Sequence, residues 1–268
     1  MIVFILNYVK IKSILIVPKT NKGVIMQVKI EKLDLKSSYK KILELAEVYK
    51  KIFAEDSKWQ EALICPRCEA AFAQTNKSLF CTDCYKFHKM QVPLVEFWPT
   101  KEILQRFYKA MDNELGSVCY IAVEQKNQTI IGFCWGFVKK ALKLIDENLE
   151  IKPEDQNDFL STLKNQFHIF PTDPIVYQNE IAILPDYQKQ GFGLKLFIAR
   201  HSYFVDQGLK DKLAVFKTLQ NPPSSTYLWL VEKLGYQILY QHQKNRKTVV
   251  AGLPIKTALN YYKNYLTP

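Results

Sequence analysis

The chain has 268 residues, 48% of them hydrophobic, and a formal net charge of +11. That is enough apolar material for one sizeable core with an appendage, and it excludes a chain dominated by disorder. Only four of the 37 basic residues are arginine (Arg67, Arg106, Arg200, Arg246). Nucleic-acid recognition leans on arginine's planar fork, so lysine-biased composition is the simpler account and nucleic acid is disfavoured, not eliminated, as a partner.

Residues Met1–Ile25 carry apolar patches, but Asn7, Lys10 and Lys12 cut them far below the ~18 to 20 residues that span a bilayer. No positive segment precedes the apolar run and no small-residue cleavage site follows it. Met26 stands just before an extended pattern, Val28–Asp34, so residues 1–25 read as an extension outside the fold. With no targeting segment, the expectation is a cytoplasmic protein without a membrane partner. The spacing then predicts a helix over Tyr39–Phe53.

Cys65-Pro-Arg-Cys68, twelve residues, then Cys81-Thr-Asp-Cys84 follow. Two C-x-x-C knuckles at this separation suit tetrahedral zinc, with Ala71–Phe80 between them forming a hairpin that turns at Thr75-Asn76-Lys77. The competing readings are a pair of disulfides, disfavoured in a cytoplasmic chain, or four free thiols. Four thiolates leave no open position, so the ion would be structural; His88 is a conceivable substitute ligand. Cys65–Val92 holds four basic and two acidic residues, and a zinc-thiolate centre adds about minus two, so the module is near neutral. Cys119 and Cys134 read as small buried hydrophobes.

Ser117–Glu124 and Thr129–Val138 form two strands around the turn Lys126-Asn127-Gln128. Lys139–Thr172 then reads as an insertion carrying a helix near Glu154–Phe167. A strand, Tyr177–Leu184, is broken by Pro185 and Asp186, and a helix starts near Gly191, with Leu194, Phe197, Ile198 and Phe204 at helical spacing. Gly191 and Gly193 fall at its first turn, where free N–H groups and the positive end of the helix dipole suit an anion. The Walker loop and the dinucleotide fingerprint both need other spacings. Downstream come a strand Lys212–Leu219, a polar break Asn221-Pro222-Pro223-Ser224, and a helix ending Val231-Glu232-Lys233-Leu234-Gly235-Tyr236, before a further strand. The segment His242–Pro268 has five basic residues and no acidic one, and its last part, 255–268, reads as a basic helix.

The run P-x-x-Q-x-x-G-x-G, from Pro185 through Gln188, Gly191 and Gly193, resembles the acetyl-CoA loop of the GNAT N-acetyltransferase superfamily, and Val231–Tyr236 looks like that family's "YEKLGF" ending. With the strands and helices in order, the resemblance spans most of Met26–Leu253. It implies an α/β (α+β) fold with a mixed, twisted central sheet, occupying 26–254, with a zinc ribbon (63–92) and a helical segment (139–172) inserted. It also implies acetyl transfer from acetyl-CoA to a primary amine on a small molecule or peptide, and it leaves room for a homodimer.

Carried over residue by residue, the resemblance implies Glu180 as base. Ile181, Ala182, Ile183, Gln188, Lys189, Gln190, Gly191, Phe192, Gly193, Leu194, Lys195 and Asn221 would form the cofactor site, and Cys65, Cys68, Cys81 and Cys84 the structural zinc site. Val231 stands where the family has its sulfur-protonating tyrosine; Tyr227, one helical turn back, is the substitute candidate. Trp59, Phe97, Trp98 and Phe170 are candidates for the acceptor walls, and both insertions are expected to shape that site. The alternatives are a non-catalytic protein that senses acetyl-CoA or docks a macromolecule through its ribbon, and a ribbon-directed modifier of tRNA or a ribosomal protein.

Overall fold

The computed structural model describes residues 27–34, 39–55, 62–72, 79–112, 116–242 and 247–266. The expected extension 1–25, Trp59 and the turn Thr75-Asn76-Lys77 lie outside them. The elements, in order, are β1 (Val28–Lys32), α1 (Tyr39–Glu55), β2 (Leu63–Ile64), β3 (Ala71–Phe72), α2 (Thr82–His88), β4 (Val95–Glu96), α3 (Thr100–Asp112), β5 (Val118–Glu124), β6 (Thr129–Lys140), α4 (Ala141–Leu144), α5 (Gln156–Phe167), β7 (Pro174–Ile183), α6 (Phe192–Asp206), β8 (Leu213–Asn221), β9 (Gln237–Gln241), β10 (Lys247–Pro254) and α7 (Ile255–Leu266). Two π-helical turns, Ile145–Leu149 and Tyr227–Lys233, and two 3-10 turns, Pro153–Asp155 and Pro185–Tyr187, complete them.

The main sheet has seven strands in the order β1-β5-β6-β7-β8-β10-β9. All pairs are antiparallel except β7 with β8. Apolar side chains project from both faces of β5 and β6, which is why the central hairpin reads as nearly continuous hydrophobic sequence and is buried along most of its length. One face is covered by α1 and α3 over Phe133 and Trp135, and further along by α4 and α5 over Phe137 and Tyr177. The other face is covered by α6 and α7, through Phe197, Phe216, Ala258 and Tyr262. The C-terminal basic helix is therefore docked through its apolar stripe. Among the described residues no helix is long and apolar enough to cross a membrane.

The excursion between α1 and α3 carries a separate three-stranded sheet, β3-β2-β4. Its layout departs from expectation. Ala71–Phe72 pairs back onto Leu63–Ile64 and encloses the first cysteine knuckle. The second knuckle is closed by the bridge Phe80–Pro93 and by the N–H of Cys81 on the carbonyl of Val92. Each knuckle sits in its own loop because each pair of thiols needs a local turn that aims both sulfurs at the same point. From β4 the chain runs through Phe97 and Trp98 directly into α3.

Candidate functional site

The site begins with a break in the ladder. In the β6–β7 register Trp135 faces Glu180, and two positions later Phe137 faces Tyr177, so β7 holds one extra residue around Gln178–Asn179. Such a bulge bends and twists its strand. Gly136 sits opposite it, and a Cβ there would meet the carbonyl oxygen of Tyr177 at 2.6 Å, so only glycine lets the strands approach. Beyond the bulge β7 leaves its other neighbour: β7 pairs β8 only at Val176–Ala214 and Tyr177–Val215, although both strands run on to Ile183 and Asn221. The two strands splay into a cleft.

Arg200 of α6 fixes the bulge. Fully buried, it donates from Nη1 to the carbonyls of Trp135 (2.9 Å) and Glu180 (3.0 Å), and from Nη2 to Oε1 of Gln178 (2.7 Å). Gln178 in turn donates to the Tyr236 hydroxyl (2.9 Å). Burial, assisted by the Arg200 charge, pushes His201 down to about 3, so its ring is neutral. Its Nδ1–H then donates to the Phe197 carbonyl (2.9 Å), leaving Nε2 to accept from Tyr236 (3.4 Å).

Strand alternation puts the Glu180 side chain on the opposite face, toward α1 and α3. Its Oε1 accepts from the Tyr49 hydroxyl (3.0 Å) and from Arg106 Nη2 (2.8 Å). Oε2 is buried and has no partner among the described residues. Burial raises Glu180 above the usual carboxylate range, opposed by the Arg106 charge and by the Tyr49 hydrogen bond. Arg106 lies over the Trp98 ring, 5.5 Å from its centroid. Glu180 lines a cavity of about 500 Å³ at the seam between the α1/α3 pair and the 141–167 insertion. Trp98, Arg106 and Lys109 come from the first side, and Glu147, Asn148 and Glu150 from the second.

A second cavity, about 650 Å³, occupies the splay itself and the start of α6. The two cavities share Phe53, Ile181 and Thr226, so they meet across β7. The N–H of Leu184 bonds the carbonyl of Ile131 on β6 (2.9 Å); by alternation the N–H groups of Ile183 and Ile181 point to the edge that β8 has left. Gln188 closes the loop by donating to the Ile183 carbonyl (3.0 Å). Gly191 caps α6 at φ +81, a left-handed angle that favours glycine, with open space where a Cβ would stand. The first bond into α6 runs from the Lys195 N–H to the Gly191 carbonyl (3.1 Å), leaving the amides of Phe192, Gly193 and Leu194 without intrahelical acceptors. This cradle fits the pyrophosphate and pantetheine of a coenzyme A thioester.

The four ribbon cysteines converge, with all four Sγ atoms within 4.8 Å of one another. Cys65–Cys84 and Cys68–Cys81 are 3.6 and 3.5 Å apart. A tetrahedron with bonds of about 2.3 Å has edges of about 3.8 Å, so this donor set fits a four-thiolate zinc. Burial opposes ionisation of Cys65, but the backbone N–H groups of Cys68 and Arg67, with the Cys68 and Cys81 thiols, outweigh it and bring Cys65 down to about 7. His88 is exposed at the end of α2 and outside the cluster.

Of the residues expected at the cofactor, Ile181, Ala182, Ile183, Gln188, Lys189, Gly191, Phe192, Gly193 and Leu194 line the second cavity; Gln190, Lys195 and Asn221 do not. Tyr227 lines neither cavity, and its hydroxyl accepts from Gln220 (3.1 Å). It lies in a π-helical turn, where bonds run i to i+5, so the α-helical register that set it over Val231 does not hold. Among the proposed acceptor walls Trp98 lines the first cavity, Phe97 packs behind it at 4.9 Å, and Phe170 is exposed elsewhere. Sequence reasoning missed α3, and with it Arg106, and missed Tyr49 as a partner of Glu180. The signal for α3 was available in Ile103, Leu104, Phe107, Tyr108 and Met111 at helical spacing after Pro99.

No family model matches the sequence, and neither does any curated protein. Solved structures do. Arylalkylamine N-acetyltransferase 2 from Aedes aegypti aligns with a TM-score of 0.46 at 12% identity, covering 85% of this chain and 99% of that one. NAA60 from Arabidopsis thaliana in complex with acetyl-CoA gives 0.45 at 10%, covering 85% and 98%. An acetyltransferase assigned to the GNAT family from Desulfovibrio desulfuricans gives 0.43 at 9%, covering 85% and 99%. At these identities the likeness concerns the fold alone.

Proposed function

We propose that this chain is an N-acetyltransferase that moves an acetyl group from acetyl-CoA to a primary amine by direct attack on the thioester. The observation that carries the reading is the placement of a buried carboxylate, one oxygen held and the other without a partner, against a cleft whose far side is a glycine-capped helix N-terminus.

In this reading the amides of Phe192, Gly193 and Leu194 take the phosphates, Lys189 and Lys195 add positive charge nearby, and the open edge of β7 at Ile181 and Ile183 orients the thioester. The amine enters from the Glu180 cavity. Tyr49 and Arg106 hold Oε1, and Oε2 takes the proton as the nitrogen bonds to the carbonyl carbon. The carbon–sulfur bond breaks, and the departing sulfur takes a proton from solvent, since Tyr227 lines neither cavity. The raised Glu180 lies closer to an amine's range than an exposed carboxylate would, which makes it the better base. The ribbon zinc, when bound, supplies no chemistry to this step; it holds the loop that leads into α3.

Val231, where the resembled family carries tyrosine, favours a second reading in which the protein binds acetyl-CoA without turning it over. Calorimetric titration of acetyl-CoA into the protein and into Gly191→Glu, followed by turnover with a panel of amines, tests both. Binding lost in the variant by at least about tenfold, or about 1.4 kcal/mol, together with amine-dependent release of CoA supports the transferase. Binding without turnover supports the sensor, and no binding by folded protein overturns both.

A further inference from the structure

Arg200 brings a full charge to a place where a neutral brace would serve. Its side chain is 1% exposed, passes 3.3 Å from the point where a Cβ of Gly136 would stand, and ends on two backbone carbonyls and the amide oxygen of Gln178. All of these acceptors are neutral. Among the described residues no carboxylate pairs with it; the groups whose fields reach it are the Cys134 thiol and the Tyr236 hydroxyl. Burial keeps both of them protonated, the thiol raised to about 11 and the phenol raised further. His201, the next residue, is neutral. Glu180 sends its carboxylate to the opposite face of β7, where Arg106 pairs with it. A buried cation left without a partner is costly, and bracing a bulge does not call for one.

One of its acceptors belongs to a peptide that faces the splay. The Glu180 carbonyl and the Ile181 N–H are the two ends of a single planar unit. Glu180 is paired with Trp135, so its carbonyl points toward β6, and the Ile181 N–H points the other way, into the edge that β8 has left. Ile181 lines both cavities, whereas Ile183 lines the cofactor side alone. A guanidinium donating to the Glu180 carbonyl at 3.0 Å draws electron density from the peptide nitrogen and makes its N–H a stronger donor. In the transferase reading, on which this rests, the amine nitrogen bonds to the thioester carbon, its proton goes to Oε2 of Glu180, and the carbonyl π pair moves onto oxygen. That oxyanion accepts from the Ile181 N–H until the pair returns and sulfur leaves with the electrons of the carbon–sulfur bond. We infer that Arg200 is a positioning residue that polarises the Glu180–Ile181 peptide and so strengthens the N–H that receives the oxyanion.

The discriminating change is Gln178→Glu, which keeps every acceptor of Arg200 and the side-chain volume but sets a carboxylate against the Nη2 that now donates to Gln178 at 2.7 Å. Two measurements on the full chain report on the thioester: the carbonyl stretch of bound acetyl-CoA, labelled with 13C at that carbon, and its aminolysis by hydroxylamine, a nucleophile too small to need recognition. The parent is expected to hold the carbonyl at a lower frequency than in free acetyl-CoA and to speed the aminolysis. Gln178→Glu and Arg200→Met should each give back part of the frequency shift and slow the aminolysis about tenfold, a share of the roughly 10² to 10³ that loss of a whole oxyanion donor costs. Acetyl-CoA affinity by calorimetry should stay within about twofold of the parent. The Tm of Gln178→Glu should be no lower than the parent's, since an unpaired cation gains a partner. A lower Tm, or a frequency and rate that do not change in Gln178→Glu, makes Arg200 a brace only; either result overturns this inference and leaves the transferase reading standing. If Arg200→Met does not fold, Gln178→Glu decides alone. A folded parent that binds no acetyl-CoA, or binds it and reacts no faster than the free thioester, overturns the premise instead.

Discussion

The two cavities that meet across β7 are built by different means. The cavity at the start of α6 is made largely of backbone: amides of a helix N-terminus, the bare edge of a splayed strand and a glycine at a left-handed angle. The cavity around Glu180 is made of side chains drawn from α1, α3, β6, β7, β8 and the 141–167 insertion. A backbone site is spelled by a short contiguous motif, because glycine spacing fixes which amides are bare. A side-chain site is assembled across the chain, so its members carry no common signature. The contrast predicts that substitutions divide between the two sides with little crossing.

The largest effect falls on the side-chain site. Glu180→Gln is expected to lower kcat by about 10² to 10³, within the range for loss of a general base, with acetyl-CoA affinity unchanged by calorimetry. A comparable loss of acetyl-CoA affinity would mean that the two cavities are not separable.

Next comes Arg106, which acts through Glu180 as a positioning residue. Burial raises Glu180 and the Arg106 charge opposes that rise. The base works ionised, so the acid limb of kcat/KM against pH should lie above the ordinary carboxylate range, with activity rising as pH rises through it. Arg106→Gln removes the opposing charge and should move that limb to still higher pH. Arg106→Lys should return part of the shift. A stability effect follows with the same sign. Because the folded-state value is raised, protonation at low pH relieves the buried charge, and the penalty for burying it appears as pH rises through that value. In Arg106→Gln the Tm should therefore fall more steeply than in the parent as pH rises through the raised Glu180 titration.

A smaller effect should follow zinc removal. The ribbon feeds through β4 into Trp98 and α3, and Lys50 of α1 pairs with Glu96 of β4 at 2.6 Å. Chelation is expected to raise the amine KM a few-fold, or about 1 kcal/mol, while acetyl-CoA affinity and the far-ultraviolet circular dichroism of the main sheet hold. Smallest of all, Tyr227→Phe should change kcat by less than about threefold, below 1 kcal/mol. A drop of a hundredfold would restore that hydroxyl to the reaction and require its turn to rotate toward the cleft.

Legibility divides along the same line. The strands around Lys126–Gln128, the Pro185 break, the helix from Gly191 and the four-cysteine spacing are local patterns, and the structure has them where the sequence places them. Local patterns do not state what folds onto what. Nothing near Glu180 announces Tyr49, 131 positions upstream, or Arg106, 74 upstream, and the bulge that aims Glu180 depends on Gly136 and Arg200 from two other elements. Tyr227 shows the converse. Tyr227 lies in a π-helical turn, a geometry that no local sequence pattern spells, and it lines neither cavity.

The parting of β7 from β8 has a consequence for the stability of the whole molecule. Two interior strands that stop pairing at Tyr177 and Val215 leave part of the sheet without its lateral neighbour. An extended ligand lying in the gap would complete that edge in the folded state and find no counterpart in the unfolded chain. Thermal endurance would then depend on ligand concentration: at a hundredfold excess over Kd the folded state gains about 2.7 kcal/mol, raising the melting point of a domain this size by about 5 to 10 °C. The sheet is mechanically unfinished by itself, and its resistance to heat is partly on loan from what it binds.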